Sequence, residues 1–353
     1  MNAMPSQLTS LPPTAGGTRP DRLPLRRAGF SITELLVVIG VIVLLVALLL
    51  VALDTVQDRA NRVKTQTQME GFARACDAFQ IDQGSYPGVI PEEVLASDPQ
   101  ISGTENALLH LTGGFRVLAP TDPGTQAEVE YNAFVSAGVD SEYVWTVANG
   151  REWRLAVRIG EIGEGPVIDG QPHTAYYTPG AGELGITNGQ WPPFGVQAPL
   201  PDLIDAWGQP IGYIRQVRTQ GPLTLDPNDN RQPQFRGEGL NPYVKSEGLG
   251  EYGMNQTDSN GNLDYSIFHG TQDPNETLAQ IIRHPAMGVW GNPGDAFGGS
   301  PRGAYYLFSP GVDGVFFSVW DGPGSSSAPE DNILQFSPKV VEEYDDVVVA
   351  GGG

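Results

Sequence analysis

The chain has 353 residues, a formal net charge of −21 at pH 7 and one cysteine. This acidic balance argues against a nucleic-acid-binding protein, which needs basic patches on its surface. The single cysteine, Cys76, excludes an intramolecular disulfide, so an exported domain has to fold without one. The 45 glycines and 30 prolines, together with plentiful apolar residues, predict a turn-rich β domain with long loops rather than a disordered chain.

A long apolar segment follows a basic flank near the N-terminus. From Phe30 to Leu53 the chain runs for 24 residues, and Glu34 is the only charged one. A helix needs roughly 20 apolar residues to cross a bilayer, so this segment is long enough to span one. The preceding flank, with four arginines and one aspartate, predicts a cytoplasmic N-terminus, with the remainder of the chain outside the cytoplasm.

Glu34 needs an explanation, because an ionised group in hydrocarbon is costly and usually has a function or a partner. One interpretation is a carboxylate that reaches the interface and interacts favourably with the N-terminal dipole of the helix. The other is a family resemblance. Gly29, Phe30 and Glu34, the fifth residue counted from Phe30, resemble the cleavage and methylation motif of type IV prepilins and pseudopilins.

The resemblance implies that a prepilin peptidase cuts after Gly29, that the new amine of Phe30 is methylated, and that Glu34 pairs with this amine on a neighbouring subunit. In a low dielectric such a pair attracts strongly, and each charge alone is costly. A secretory signal peptide and a twin-arginine export signal are the alternatives, but the apolar run is long for either. Type IV pilins often carry a proline near the end of this helix. Here none occurs between Pro24 and Pro87, so the kink that goes with this proline does not carry over from the resemblance.

The apolar run is predicted to begin a helix that extends from Phe30 to about Gln80, because apolar residues continue at helical spacing on one face. A glycine and a proline then end it. The segment Phe79–Pro87 resembles the one that closes the long helix in the major pseudopilin of type II secretion. Cys76 lies on the apolar face, which predicts a packing role.

Two further segments resemble that pseudopilin and follow in the family order. Asp205–Pro210 carries an Asp-x-Trp-Gly-x-Pro pattern that leads into a strand. Ala304–Gly314 is similar to the last strand and its Ser-x-Gly-x-Asp-Gly turn. Insertions at about 88–200 and 219–300 have no counterpart in the resemblance.

The first insertion is predicted to be largely irregular, with a short helix near Glu105–Leu111 and strand-like runs at 143–147 and 153–159. A helix near 276–283 is expected in the second insertion. Together with the resemblance, these features predict an α+β, pilin-like fold. In this fold a long N-terminal helix, its first half transmembrane, packs on a small antiparallel β-sheet with long loop-rich insertions. The expected divisions are a leader at 1–29, a transmembrane and assembly segment at 30–53, an exposed helical segment at 54–87 and a globular domain at 88–353.

The resemblance also implies calcium, which orders the C-terminal loop of the major pseudopilin. Calcium takes about 6–8 oxygen ligands, which clustered acids, hydroxyls and carbonyls supply. A solvated Asp-Gly turn is the alternative. The positions that fit are the backbone carbonyl of Leu307 and the side chains of Ser309, Asp313, Asp321 and Asp331.

A second, weaker set of oxygen ligands occurs in one loop. An EF-hand calcium loop has a glycine where this chain has Leu263, so a polar turn is the alternative interpretation. The weaker set consists of Asp258, Asn260, Asn262 and Asp264.

No catalytic constellation stands out in the sequence. The four histidines show no metal-ligand spacing, and there is no Gly-x-Ser-x-Gly elbow or phosphate-binding loop. We therefore expect a protein that is not an enzyme.

The sequence predicts a structural subunit of a type II secretion pseudopilus or a type IV pilus-like filament that supports protein secretion. Its expected partners are the prepilin peptidase/N-methyltransferase, further copies of itself, the inner-membrane assembly platform and minor pseudopilins. We expect a single-pass inner-membrane protein with a periplasmic or extracellular C-terminal domain, which then enters the filament. The alternatives are a minor pilin or tip subunit, a single-pass anchored surface protein whose insertions bind glycans or other ligands, and an enzyme on a prepilin-like anchor.

Overall fold

The computed structural model describes residues 31–98, 100–147, 150–185, 200–226, 228–236, 256–257, 263–264, 274–287, 298–314, 316–317 and 344–352. Within these residues the chain forms a mixed α+β fold of helices and small antiparallel sheets, which confirms the α+β part of the predicted fold class. The chain divides into two compact units, Met1–Asp54 and Thr55–Gly353.

The α-helices of the described part are α1 (Ile32–Gln83), α2 (Glu92–Ser97), α3 (Gly103–Thr112), α4 (Gln126–Ser136) and α5 (Pro274–Ile282). Its strands are β1 (Phe115–Leu118), β2 (Ser141–Val147), β3 (Arg151–Val157), β4 (Val167–Ile168), β5 (Gln171–Pro172), β6 (Leu184–Gly185), β7 (Asp202–Leu203), β8 (Gly212–Arg215), β9 (Gln256–Thr257), β10 (Leu263–Asp264), β11 (Tyr305–Ser309) and β12 (Val347–Gly351). The predicted helix from Phe30 to about Gln80 corresponds to α1.

The first unit contains the N-terminal part of α1. The described side chains of this part, from Ser31 to Ala47, are all exposed. Across the side chains that the structure describes, no helix has the length and apolar character needed to cross a membrane.

The second unit is organised around the remainder of α1. Met69, Phe72, Cys76 and Phe79 recur at helical spacing and are fully buried. They share one core with a three-stranded antiparallel sheet in the order β8–β11–β12. Cys76 is therefore a core residue.

Strand β11 lies in the middle of this sheet, and all five of its residues are buried. Leu307 stands opposite Tyr213 of β8 and Val349 of β12. Phe72 of α1 meets Tyr213 and Tyr177 edge to face, with ring centroids 6.0 Å and 5.1 Å apart. Large aromatic side chains of this kind contribute most of the apolar area of a small core.

The described part of the first insertion is folded, so the prediction of a largely irregular stretch at 88–200 is wrong there. Strands β1, β2 and β3 form a second antiparallel sheet in the order β1–β3–β2. Tyr143 and Trp145 on β2 and Leu155 and Val157 on β3 alternate toward a buried core that α2 and α3 complete. The predicted short helix corresponds to α3, and the two strand-like runs correspond to β2 and β3.

Two further elements of this insertion, β1 and α4, leave no recognisable pattern in the sequence, for physical reasons. β1 has four residues, too few to show an alternating pattern. Helix α4 buries only Tyr131 and Phe134, which join Leu118 and Ala156 in a small separate core. With so narrow an apolar stripe, α4 has little helical periodicity to detect.

Candidate functional site

The N-terminal end of α1 is closed by a reciprocal pair of hydrogen bonds between Ser31 and Glu34. The backbone N–H and the hydroxyl of Ser31 donate to Glu34 Oε2, at 2.8 Å and 2.9 Å. In return, the backbone N–H of Glu34 donates to Ser31 Oγ at 3.2 Å. This is a capping box, which satisfies two donors of the first helical turn. Glu34 therefore caps its own helix. The Ser-x-x-Glu spacing in the sequence is typical of such a cap.

Both hydrogen bonds to the Glu34 carboxylate end on the same oxygen, Oε2. The carboxylate is exposed, at the end of a helix whose N-terminal dipole also favours a negative charge. Gly29 and Phe30, the predicted processing residues, lie outside the described residues.

The two segments that resemble pseudopilin landmarks meet in the second unit. Ser309, at the end of β11, donates its hydroxyl hydrogen to Asp205 Oδ2 at 2.7 Å. Asp205 Oδ1 accepts the backbone N–H groups of Trp207 and Gln209, both at 2.9 Å. Asp205 thus fixes its own turn and joins it to the turn that follows β11. Burial raises the pKa of the Asp205 carboxyl, and the hydrogen bonds from Ser309 and from the turn act in the opposite direction.

Two aspartates just before β12 accept hydrogen bonds from the turn that follows β11 and from the residues just after it. The backbone N–H of Val312 donates to Asp345 Oδ2 at 3.2 Å, and that of Phe317 donates to both carboxylate oxygens of Asp346 at 3.0 Å. Arg62 of α1 donates to the backbone carbonyls of both aspartates, at 3.1 Å and 3.3 Å. The helix, the turn and the last strand are therefore tied together at one place. Sequence reasoning missed Asp345 and Asp346, because the contacts that give them a role are long-range.

A glycine is required at one position of this turn. Gly311 has a φ of +72°, and a Cβ built on it would lie 2.9 Å from the backbone oxygen of Asp345. Any other residue would have to adopt the left-handed conformation and push the Asp345 segment away. The glycine therefore permits the close approach of β12 to the turn.

Three of the five predicted calcium ligands lie among the described residues. Leu307 lies inside the sheet, Ser309 already donates to Asp205, and Asp313 lies in the turn. Throughout the described part of the chain, no group of three or more histidine, cysteine, aspartate or glutamate side chains is arranged to hold a metal ion. Calcium remains a prediction. Asp321 and Asp331 of the main set and Asp258, Asn260 and Asn262 of the weaker set lie outside the described residues, as does the side chain of Asp264.

A cavity of about 420 Å³ lies beside the C-terminal end of α1. Its floor contains a buried ion pair, in which Arg215 Nε donates to Glu92 Oε1 at 2.9 Å. The guanidinium of Arg215 also donates to the carbonyl of Tyr86 at 2.6 Å. At the rim, the exposed Arg218 pairs with Glu93 at 2.9 Å. The charges of this cavity are paired within the protein, so they require no charged ligand.

The described histidines have separate, local roles. The ring of His110 lies tilted against Phe79 and edge to face against Phe115, and its Nδ1 accepts the backbone N–H of Gly88 at 3.0 Å. Burial lowers the pKa of His110 to about 3, so this imidazole is neutral at physiological pH. It supports the packing of α1 on the first insertion rather than acid–base chemistry.

No family model matches the chain, and neither a curated protein nor a solved structure matches it.

Proposed function

We propose that the chain is a structural subunit of a type II secretion pseudopilus or a type IV pilus-like filament that supports protein secretion. The observation that carries this proposal is the succession of Gly29, Phe30 and Glu34 at the start of an apolar run that ends at Leu53. In this proposal a prepilin peptidase removes the leader after Gly29 and methylates the new amine of Phe30. The protein is not an enzyme.

The organisation of the second unit supports the proposal. A helix that continues from the apolar run packs on a small antiparallel sheet, and that sheet contains the segment that resembles the last pseudopilin strand. The turn at Asp205–Pro210 and the turn after Ser309, which both resemble landmarks of the family, are in direct contact.

The proposed pathway begins in the inner membrane. Residues 30–53 would anchor the chain as a single span, with the N-terminus in the cytoplasm and the second unit in the periplasm. The assembly platform and minor pseudopilins would then move the subunit into a filament, where apolar helices of neighbouring copies cover one another. This covering replaces lipid contacts by close helix packing.

Glu34 would select the register of each incoming subunit. A carboxylate and an N-terminal ammonium in a low dielectric attract strongly, and the alternative of two unpaired charges is costly. The capping box holds the Glu34 carboxylate at the helix end, so this carboxylate is already oriented when the ammonium of the neighbouring Phe30 arrives.

Glu34→Ala tests this role, with two matched variants beside it. We expect Glu34→Ala to be processed normally but to be absent from sheared filaments, and Glu70→Ala, an exposed glutamate on the same helix, to assemble. Ser31→Ala weakens the cap by about 1 kcal/mol but keeps the carboxylate, so it should still assemble. Equal failure of Ser31→Ala and Glu34→Ala would mean that helix capping, rather than pairing with an ammonium, explains the defect.

A second candidate is a minor pilin or tip subunit. One observation favours it: the first insertion has its own sheet and core, which is more bulk than a densely packed filament subunit needs. Immunogold labelling distinguishes the two roles. Label along the whole filament supports the main proposal, and label confined to filament ends supports a tip subunit.

A further inference from the structure

The C-terminal end of α5, in the second insertion, is held by three hydrogen bonds. The carbonyl of Ile282 accepts the hydroxyl of Tyr306 at 2.7 Å and the backbone N–H of Arg302 at 2.9 Å. The carbonyl of Arg283 accepts Arg302 Nε at 3.0 Å. Arg283 itself continues the helical turn, because its N–H donates to the carbonyl of Ala279 at 3.1 Å. The backbone around Arg283 is therefore fixed, and so is the direction from which its side chain leaves.

Two polar side chains on this helical turn are buried together. Gln280 is 4% exposed and Arg283 is 7% exposed. Residues three apart lie on the same helix face, so the two side chains are neighbours. Such deep burial is rare for glutamine and rarer still for arginine, unless each has a partner.

Within the described part of the chain, neither side chain has the hydrogen-bond partners that its burial requires. Arg283 Nε and Nη1 and both amide atoms of Gln280 are shielded from solvent and make no hydrogen bond. A buried guanidinium without a counter-charge is among the most unfavourable arrangements in a protein interior. The chain has 41 acidic residues, yet no described carboxylate forms an ion pair with Arg283.

We propose that Arg283 and Gln280 form a binding site for a small oxyanion, a carboxylate or a phosphate group. The guanidinium supplies a fixed positive charge and donors, and the amide of Gln280 adds further donors beside it. The guanidinium of Arg302, which donates to the carbonyl of Arg283, adds a second positive charge nearby. The close burial limits the ligand to a small group.

The oxyanion comes from one of two sources, which share the same chemistry. It is either a soluble small anion or a carboxylate side chain of a second copy of this acidic chain. In both cases the binding energy comes from pairing a buried charge for which the described part of the chain offers no counter-charge. The site lies in an insertion and does not depend on the processing or assembly of the N-terminal helix.

Thermal unfolding of the detergent-solubilised full chain tests the site, with chloride replaced by inorganic phosphate at constant ionic strength. We expect the Tm to rise with the logarithm of the phosphate concentration above Kd, by about 5 °C at roughly 100 times Kd. Arg283→Gln should lose this response and, in dilute protein in chloride, should melt higher than the unsubstituted chain, because it removes a buried charge that has no described counter-charge. Arg74→Gln, which removes an exposed arginine, should respond as the unsubstituted chain does.

Two results would overturn the proposal. One is no response of the unsubstituted chain to phosphate at any protein concentration. The other is a lower Tm of Arg283→Gln in chloride in dilute protein, where the Tm no longer depends on protein concentration, because this would reveal a stabilising partner within the chain. Protein concentration distinguishes the sources. A Tm in chloride that rises with protein concentration, and does so only while Arg283 is present, identifies a carboxylate of a second copy. A concentration-independent Tm that responds to phosphate identifies a soluble anion.

Discussion

Ser309 Oγ donates a hydrogen bond of 2.7 Å to Asp205 Oδ2, across 104 positions of the chain. Both residues are buried, and each stands in a turn that resembles a pseudopilin landmark. The contact gives the second unit a fixed junction, because Asp205 also accepts two backbone N–H groups of its own turn. It also explains why the two turns lie together, although the second insertion, at about 219–300, separates them in the chain.

Ser309→Ala should destabilise the chain through this junction. The substitution leaves a buried carboxylate oxygen of Asp205 without its donor, which costs about 1–3 kcal/mol. Urea unfolding of the detergent-solubilised chain measures the change. Ser85→Ala, at an exposed serine after α1, should have almost no effect. An unchanged unfolding midpoint for Ser309→Ala would show that the junction contributes little to stability.

The contact between α1 and the sheet should dominate the stability of the second unit. Phe72 is fully buried and packs edge to face on Tyr177 and Tyr213, so Phe72→Ala should cost about 3–5 kcal/mol. Val63→Ala, on the same helix at a position that is 65% exposed, should change the free energy of unfolding by less than about 0.5 kcal/mol. Similar effects of the two substitutions would contradict the packing described here.

Stability should decrease with rising pH because of Glu105. Burial, and then the charge of Asp202, raise the pKa of this carboxyl well above its usual range. Tyr143 faces the same pair. A raised folded pKa means that the stabilising contribution is complete below the unfolded value of about 4.3 and is lost as the pH rises above it.

Glu105→Gln isolates this effect, because glutamine keeps an oxygen that can accept the backbone N–H of Ser102 in the cap of α3. The difference in Tm between about pH 5 and pH 8 should be smaller in Glu105→Gln than in the unsubstituted chain. Glu93→Gln, at a half-exposed glutamate, should leave the pH dependence unchanged. An identical pH dependence in all three proteins would remove Glu105 as its cause.

Chelation tests the predicted calcium site directly. If calcium orders the C-terminal loop, EDTA should lower the Tm of the full chain, added calcium should restore it, and Asp313→Ala should abolish the response. Asp82→Ala, at an exposed aspartate near the end of α1, should retain the response. If neither the chelator nor added calcium changes the Tm, the chain has no such site.

The sequence contained much of the fold in the form of periodic patterns. The helical spacing of Met69, Phe72 and Phe79 marked the buried face of α1, and the alternation around Tyr143 and Trp145 marked a strand. β1 and α4 were not predictable, because one is too short and the other buries too few residues to leave a pattern.

Among the candidate sites, too, only those with a local pattern can be predicted from the sequence. The capping box at Ser31 and Glu34 is local, and its Ser-x-x-Glu spacing could have been recognised. The roles of Asp345 and of the buried Arg283 arise from contacts, or from missing contacts, between distant segments. Such features depend on how the chain packs, and no local pattern of residues encodes them.

The measurement that tests the central claim most directly is the N-terminal residue of the native, membrane-extracted protein, determined by intact and peptide mass spectrometry. Processing as a prepilin predicts a chain that begins at Phe30 and carries an additional methyl group on its amine. A chain that begins at Met1, or one that is cut near residue 53, would contradict prepilin processing. The apolar segment would then be a plain anchor or an export signal, and the function would have to be sought in the two insertions.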